Sequence, residues 1–211
     1  MRQYKFEESE HRMKSYKIKK ITPNAVRWEE IPTLTLDTRY EDTPECVRVS
    51  AQICYSDEAF FVHFISEESV IRSEEKPPYG VPCHDSCLEF FFSPISGDKR
   101  YINVEFNSSK CMFLGLGADG LTRLGVEDES VFAPEVKFFD GGWEIFYTVP
   151  FAVVRRIFKD FEPKTGYSIR ANCYKCADMK EPPEFLSWNP VTTVPLCFHA
   201  PDDFGFMTFT E

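Results

Sequence analysis

Residues 85–107 read DSCLEFFFSPISGDKRYINVEFN, and the alternation inside this stretch decides the fold. From Tyr101 to Asn107 apolar and polar side chains take turns. Ile102, Val104 and Phe106 fall on one face, and Tyr101, Asn103, Glu105 and Asn107 on the other. A period of two marks a β-strand with one face in a core. Leu88–Ser93 is a second strand, apolar almost throughout, with Glu89 set inside it. Ser-Pro-Ile-Ser-Gly-Asp joins the two as a turn. The pair predicts a hairpin whose polar row faces away from the core.

The same pattern recurs on both sides. Val47–Tyr55 alternates Val47, Val49, Ala51, Ile53 and Tyr55 with polar or small residues, and Ala59–Ser66 returns after Ser56-Asp57-Glu58. Cys111–Leu116 is a further short strand. Glu135–Phe139 and Trp143–Val149 flank Asp140-Gly141-Gly142, a strong hairpin signal. Gly166–Lys175 puts Tyr167, Ile169, Ala171 and Cys173 inward and a second polar row, Arg170, Asn172 and Tyr174, outward. Phe204–Phe209 closes the chain. Pro150 precedes FAVVRRIF, where Phe151, Val154 and Phe158 recur at helical spacing, so one short helix is expected there. Lys17–Ile21 adds a strand near the start, and residues 1–16 read as a charged tail before one domain over 17–211. The expected architecture is all-β: an antiparallel two-sheet β-sandwich of immunoglobulin-like or jelly-roll type.

Composition supports this and excludes several functions. The 211 residues include 21 Phe, with 10 Gly and 15 Pro to make turns. The formal charge is −10, from 24 basic and 34 acidic residues. Nucleic acid needs a basic footprint, so it is not an expected partner, and neither is an anionic membrane. The first residues carry no apolar signal segment and no run is long enough to span a bilayer, so a cytoplasmic location is expected. The eight cysteines then read as free thiols.

Four chemistries fit the residues. Sugars present flat C–H patches rimmed by hydroxyls, and a site for them needs aromatic platforms with planar hydrogen-bonding groups. Asn103, Glu105, Asn107, Arg170, Asn172, Glu89 and Asp85 are such groups, and Tyr79 and Trp188 are loop aromatics. Glycoside hydrolysis would use a strand carboxylate pair, Glu89 and Glu105. Zinc would draw on Cys83, His84, Cys87, Cys173 and Cys176, but residues three apart on a strand point to opposite faces, which separates Cys173 from Cys176. Calcium would draw on the acidic loop with Asp119, Glu127, Asp128 and Glu129, which lacks the spacing of a dedicated calcium loop. No nucleophile elbow or phosphate-binding glycine loop is present.

The ordered set DSCLEFFFSP, RYINVEFN, GGWEIFYTVPF, GYSIRANCYKCAD, LSWNPV and FHAPDDFGFMTF resembles carbohydrate-binding module family 9, over about residues 30–211. The resemblance implies a non-catalytic β-sandwich that binds the ends of plant-polysaccharide chains, of cellulose or xylan type, by clamping a sugar between two aromatic rings. It implies no cofactor for binding, with structural calcium as an accompaniment. Carried onto this sequence, Trp188 matches one clamp ring, Glu89 an acidic sugar contact, Arg100 a nearby basic position and Asn172 an amide contact. Asn103 joins them as a hydroxyl partner. The second ring is usually a Trp before the Asp-x-Cys strand; here that loop offers Tyr79.

Overall fold

The computed structural model describes residues 13–23, 26–118 and 120–211. Most of the expected tail lies outside the described residues, as does Asp119; Ser15 and Tyr16 already belong to the first strand. The opening hairpin is β6 (Cys87–Ser93) and β7 (Tyr101–Asn107), paired antiparallel with Glu89 opposite Glu105. On one side β7 pairs with β8 (Met112–Gly117), which pairs with β9 (Leu121–Arg123). On the other, β6 pairs with β12 (Ser168–Ala177), and β12 with β13 (Glu184–Ser187) and β14 (Gly205–Thr210).

A second set is built from β4 (Arg48–Tyr55), β5 (Ala59–Glu67), β10 (Glu135–Phe139) and β11 (Gly142–Pro150). Its order is β10-β11-β5-β4. The short strands β2 (Thr33–Thr35) and β3 (Thr38–Tyr40) dock on β4 and β13. The link between the two sets is β1 (Ser15–Lys20), which pairs in parallel with both β14 and β4. The sandwich is therefore mostly antiparallel but mixed at this seam, a feature that local periodicity does not carry. Among the described residues the single α-helix is α1 (Phe151–Arg155).

The two sets face each other across an aromatic core. Phe60 of β5 meets Phe90 and Phe92 of β6 edge-on, with ring centroids 5.7 and 5.3 Å apart. Phe106 of β7 meets Tyr147 of β11 at 4.9 Å. These are the inward residues of the alternating strands, as the period of two requires.

The outward rows differ from expectation. Tyr101, Asn103, Glu105 and Asn107 are all buried, and so are Asn172 and Tyr174. The segment between β13 and β14 crosses this face. Val191, Phe198, Ala200 and Phe204 from it form a smaller second core with Cys87, Phe91, Tyr101, Tyr174 and Cys176. A polar row that reads as solvated is thus the floor of a covered layer. Among the described residues no helix is long and apolar enough to cross a membrane.

Candidate functional site

The covered face is incomplete, and its gap is a pocket of about 260 Å³ lined by Glu41, Cys83, Glu89, Glu105, Cys176, Phe185, Leu196, Cys197, Phe198 and His199. The strands supply its floor and the 189–203 segment supplies much of its wall. Glu89 and Glu105 stand opposite each other on β6 and β7, while Tyr174 and Cys176 of β12 lie opposite Glu89 and Cys87. Each neighbour of the floor has a definite task. The Asn103 amide donates to Glu105 at 2.5 Å. Asn107 donates to Asp85 at 2.8 Å and to the Glu75 carbonyl at 2.9 Å, which anchors the loop before β6. Gly115 of β8 lies opposite Asn103, and a Cβ there would stand 2.1 Å from the Asn103 amide oxygen.

The wall is fixed as tightly. Asn172 donates to the Asn189 carbonyl at 2.9 Å and accepts from the Asn189 N–H at 2.8 Å, so it clips the covering segment to β12. Phe198 stacks on Tyr174 with centroids 4.3 Å apart and meets Phe185 edge-on at 6.0 Å. His199 shares a 2.8 Å hydrogen bond with the Tyr101 hydroxyl. Burial lowers its pKa and so favours the neutral imidazole.

The floor carboxyls are electrostatically unusual. Glu89 is 3% exposed, and burial followed by the nearby Glu105 raises its pKa well above the carboxylate range. Burial also pushes Glu105 up, to about 7, against the opposing pull of the Asn103 amide. Two buried carboxyls this close do not both ionise easily, so near neutral pH the floor can donate as well as accept a hydrogen bond. One ligand atom from each of Cys87, Glu89 and Glu105 lies within 4.8 Å of the others. The two carboxyls are neighbours on one floor, opposite each other on adjacent strands, rather than groups flanking a bond.

The sequence-derived site residues disperse. Glu89 lines the pocket and Asn103 lies beside it, bonded to Glu105. Asn172 binds backbone. Trp188 is 4% exposed, sits in the main core and lies close above Gly205. Tyr79 is 82% exposed in the loop before β6 and is not among the pocket residues. Arg100 is exposed, pairs with Asp98 at 2.6 Å and covers the Phe158 ring. Conversely, the sequence does not single out Phe185, Phe198, His199 or the thiols of Cys83 and Cys176 for this pocket. Strand periodicity could have placed Cys176 on the face of Tyr174, but nothing local marks Phe198 or His199. For calcium, Glu129 opens an exposed turn and Asp128 caps it by accepting from the Ser130 N–H at 2.9 Å. The described carboxylates of that loop form no converging ligand set, so they do not fit the ion by themselves.

Comparison with known proteins agrees with this architecture. The family model described as carbohydrate-binding family 9 matches residues 19–209. A candidate carbohydrate-binding protein from Bacteroides uniformis is similar at 26% identity and a TM-score of 0.77, covering 94% of this chain and 100% of that one. A family 9 carbohydrate-binding module from Caldicellulosiruptor kristjanssonii, solved with cellotriose and with glucose, shares the fold at 13% identity and a TM-score of 0.66. The cellotriose structure covers 93% of this chain and 94% of the module. No curated protein matches the chain.

Proposed function

Because the chain belongs to carbohydrate-binding family 9, it binds carbohydrate and is not an enzyme, and we propose that its ligand is the end of a β-glucan or xylan chain held in the pocket over Glu89 and Glu105. The observation that carries this reading is a buried carboxyl pair at the floor of a pocket with Phe185 and Phe198 on its wall. Such a floor exchanges hydrogen bonds with vicinal hydroxyls, and the rings cover the apolar face of the sugar. At about 260 Å³ the pocket is near the small end of ligand sites, which favours a terminal residue over an internal stretch of polymer. The cellotriose and glucose held by the Caldicellulosiruptor module suggest a glucose-type end.

In this reading the stacking role expected of Trp188 and Tyr79 falls to Phe198 and Phe185. Asn103 acts by orienting Glu105, and Asn172 by holding the covering segment. Binding needs no calcium, so calcium added to chelator-treated protein leaves the affinity unchanged. Calorimetry with cello- and xylo-oligosaccharides tests the reading on the wild type, Glu89→Ala and Phe198→Ala. The wild type binds, and each variant weakens binding about tenfold or more, as expected when one good hydrogen bond or one stacked ring is removed. Equal affinity in all three proteins, or no binding across a broad glycan array, would overturn it.

A further inference from the structure

The pocket floor has a property that sugar binding does not require. Cys87, Glu89 and Glu105 converge, all three are buried, and their ligand atoms lie within 4.8 Å of one another. Glu89 is almost wholly buried and lines the pocket, two residues along the same strand face from Cys87. Among the described residues no cation hydrogen-bonds either carboxyl, although the charge of Arg123 favours the ionised form of Glu105. Lys175 bonds Glu68 and Glu184, and Arg123 donates to the Gly80 and Met112 carbonyls. Two more thiols border the floor: Cys176 lies opposite Cys87 across the β6–β12 ladder, and Cys83 packs beside it at the pocket wall.

We infer that Cys87, Glu89 and Glu105 form a binding site for a zinc-class divalent cation at the floor of the pocket. A cation turns the mutual repulsion of two buried carboxylates into shared attraction, which compensates their desolvation. Zinc–sulfur and zinc–oxygen bonds of about 2.0–2.3 Å place tetrahedral ligands about 3.5 Å apart, so small side-chain rotations close the triad around the ion. The fourth position opens toward Cys176, Cys83 and the pocket, leaving it to a thiol or to water. The thiolate selects against calcium and magnesium, which take all-oxygen shells. Of the cysteines that sequence spacing offers for zinc, Cys83 and Cys87 thus do meet Cys176, while Cys173 points into the main core. Periodicity allows for that separation, but it does not enlist the two glutamates.

The test uses the reduced, chelator-treated protein and Cd²⁺ alone as a thiolate probe. The expected result is an ultraviolet sulfur-to-cadmium charge-transfer band that saturates at one equivalent and is abolished by Zn²⁺. Cys87→Ser removes the band, Glu105→Gln weakens uptake at least about tenfold, and Cys46→Ser, at an exposed thiol outside this pocket, leaves it unchanged. No band at one equivalent, or a band that survives Cys87→Ser, overturns the site. Should Cys87→Ser not fold, the Zn²⁺-induced rise in Tm decides: present in the wild type and lost in Glu105→Gln supports the site, while an equal rise in both contradicts it. Metal is the only ligand in these assays, so their outcome is independent of whether a glycan binds.

Discussion

At the scale of single residues, the floor is built by exclusion as much as by contact. Gly115 has no side chain because its place is taken: an added Cβ would meet the Asn103 amide oxygen at 2.1 Å and the Phe113 ring at 2.6 Å. Gly115→Ala therefore displaces Asn103 from Glu105 or shifts β8. It should cost about 1–3 kcal/mol, the range of overpacking changes, seen as a lower denaturation midpoint with an unchanged slope. Trp188 gives a contrasting case. Its ring is buried in the main core, so Trp188→Ala should lose about 3–5 kcal/mol of stability. A clamp ring at a binding surface would instead lose ligand affinity with little change in Tm.

At the scale of elements, the strands are held in register by a buried charge network at one end of the sandwich. Glu68, just beyond β5, accepts from Ser66 at 2.9 Å, from Ser86 before β6 at 2.7 Å and from the Trp143 indole of β11 at 2.7 Å. It also pairs with Lys175 of β12 at 3.2 Å and Lys180 at 3.0 Å. Burial alone would raise its pKa, but the two lysines and the hydrogen bonds outweigh burial and bring it from 4.5 down to about 2. A depressed carboxyl stabilises the fold above the unfolded pKa and loses that contribution as pH falls through the folded one. Glu68→Gln should therefore cost about 3–5 kcal/mol near neutral pH, as breaking a buried pair does. The gap from wild type should narrow between pH 4.5 and about 2 in urea titrations. A gap that stays constant with pH would remove Glu68 from this role.

At the scale of the whole molecule, the sandwich was legible in the sequence because each strand buries one face, and Val49, Ile53, Ile102 and Phe106 announce that face by position alone. The helix was legible for a similar reason, with Phe151 and Val154 at helical spacing behind Pro150. Three things were not. The parallel seam at β1 depends on partners far along the chain, with Ser15 opposite Phe206 and Lys19 opposite Cys54. The covering of Asn103, Glu105 and Asn172 depends on the irregular 189–203 segment, whose path has no period to read. Trp188 lies next to a strand end, where a loop platform and a core residue look the same in sequence. Since β1 joins both strand sets, Ile18→Ala, at a wholly buried position, should cost about 2–5 kcal/mol and lower one cooperative transition rather than split it.

Occupation of the pocket over Glu89 and Glu105 by a sugar end is the central claim. Amide proton–nitrogen NMR spectra recorded during titration with cellotriose test it most directly. The expected shifts saturate together and concentrate at Glu89, Glu105, Cys176, Phe185, Phe198 and His199, with β10 and β4 unmoved. Saturating shifts centred on any other surface, or no shifts at all while cellotriose, glucose and xylo-oligosaccharides are each added to excess, would contradict it.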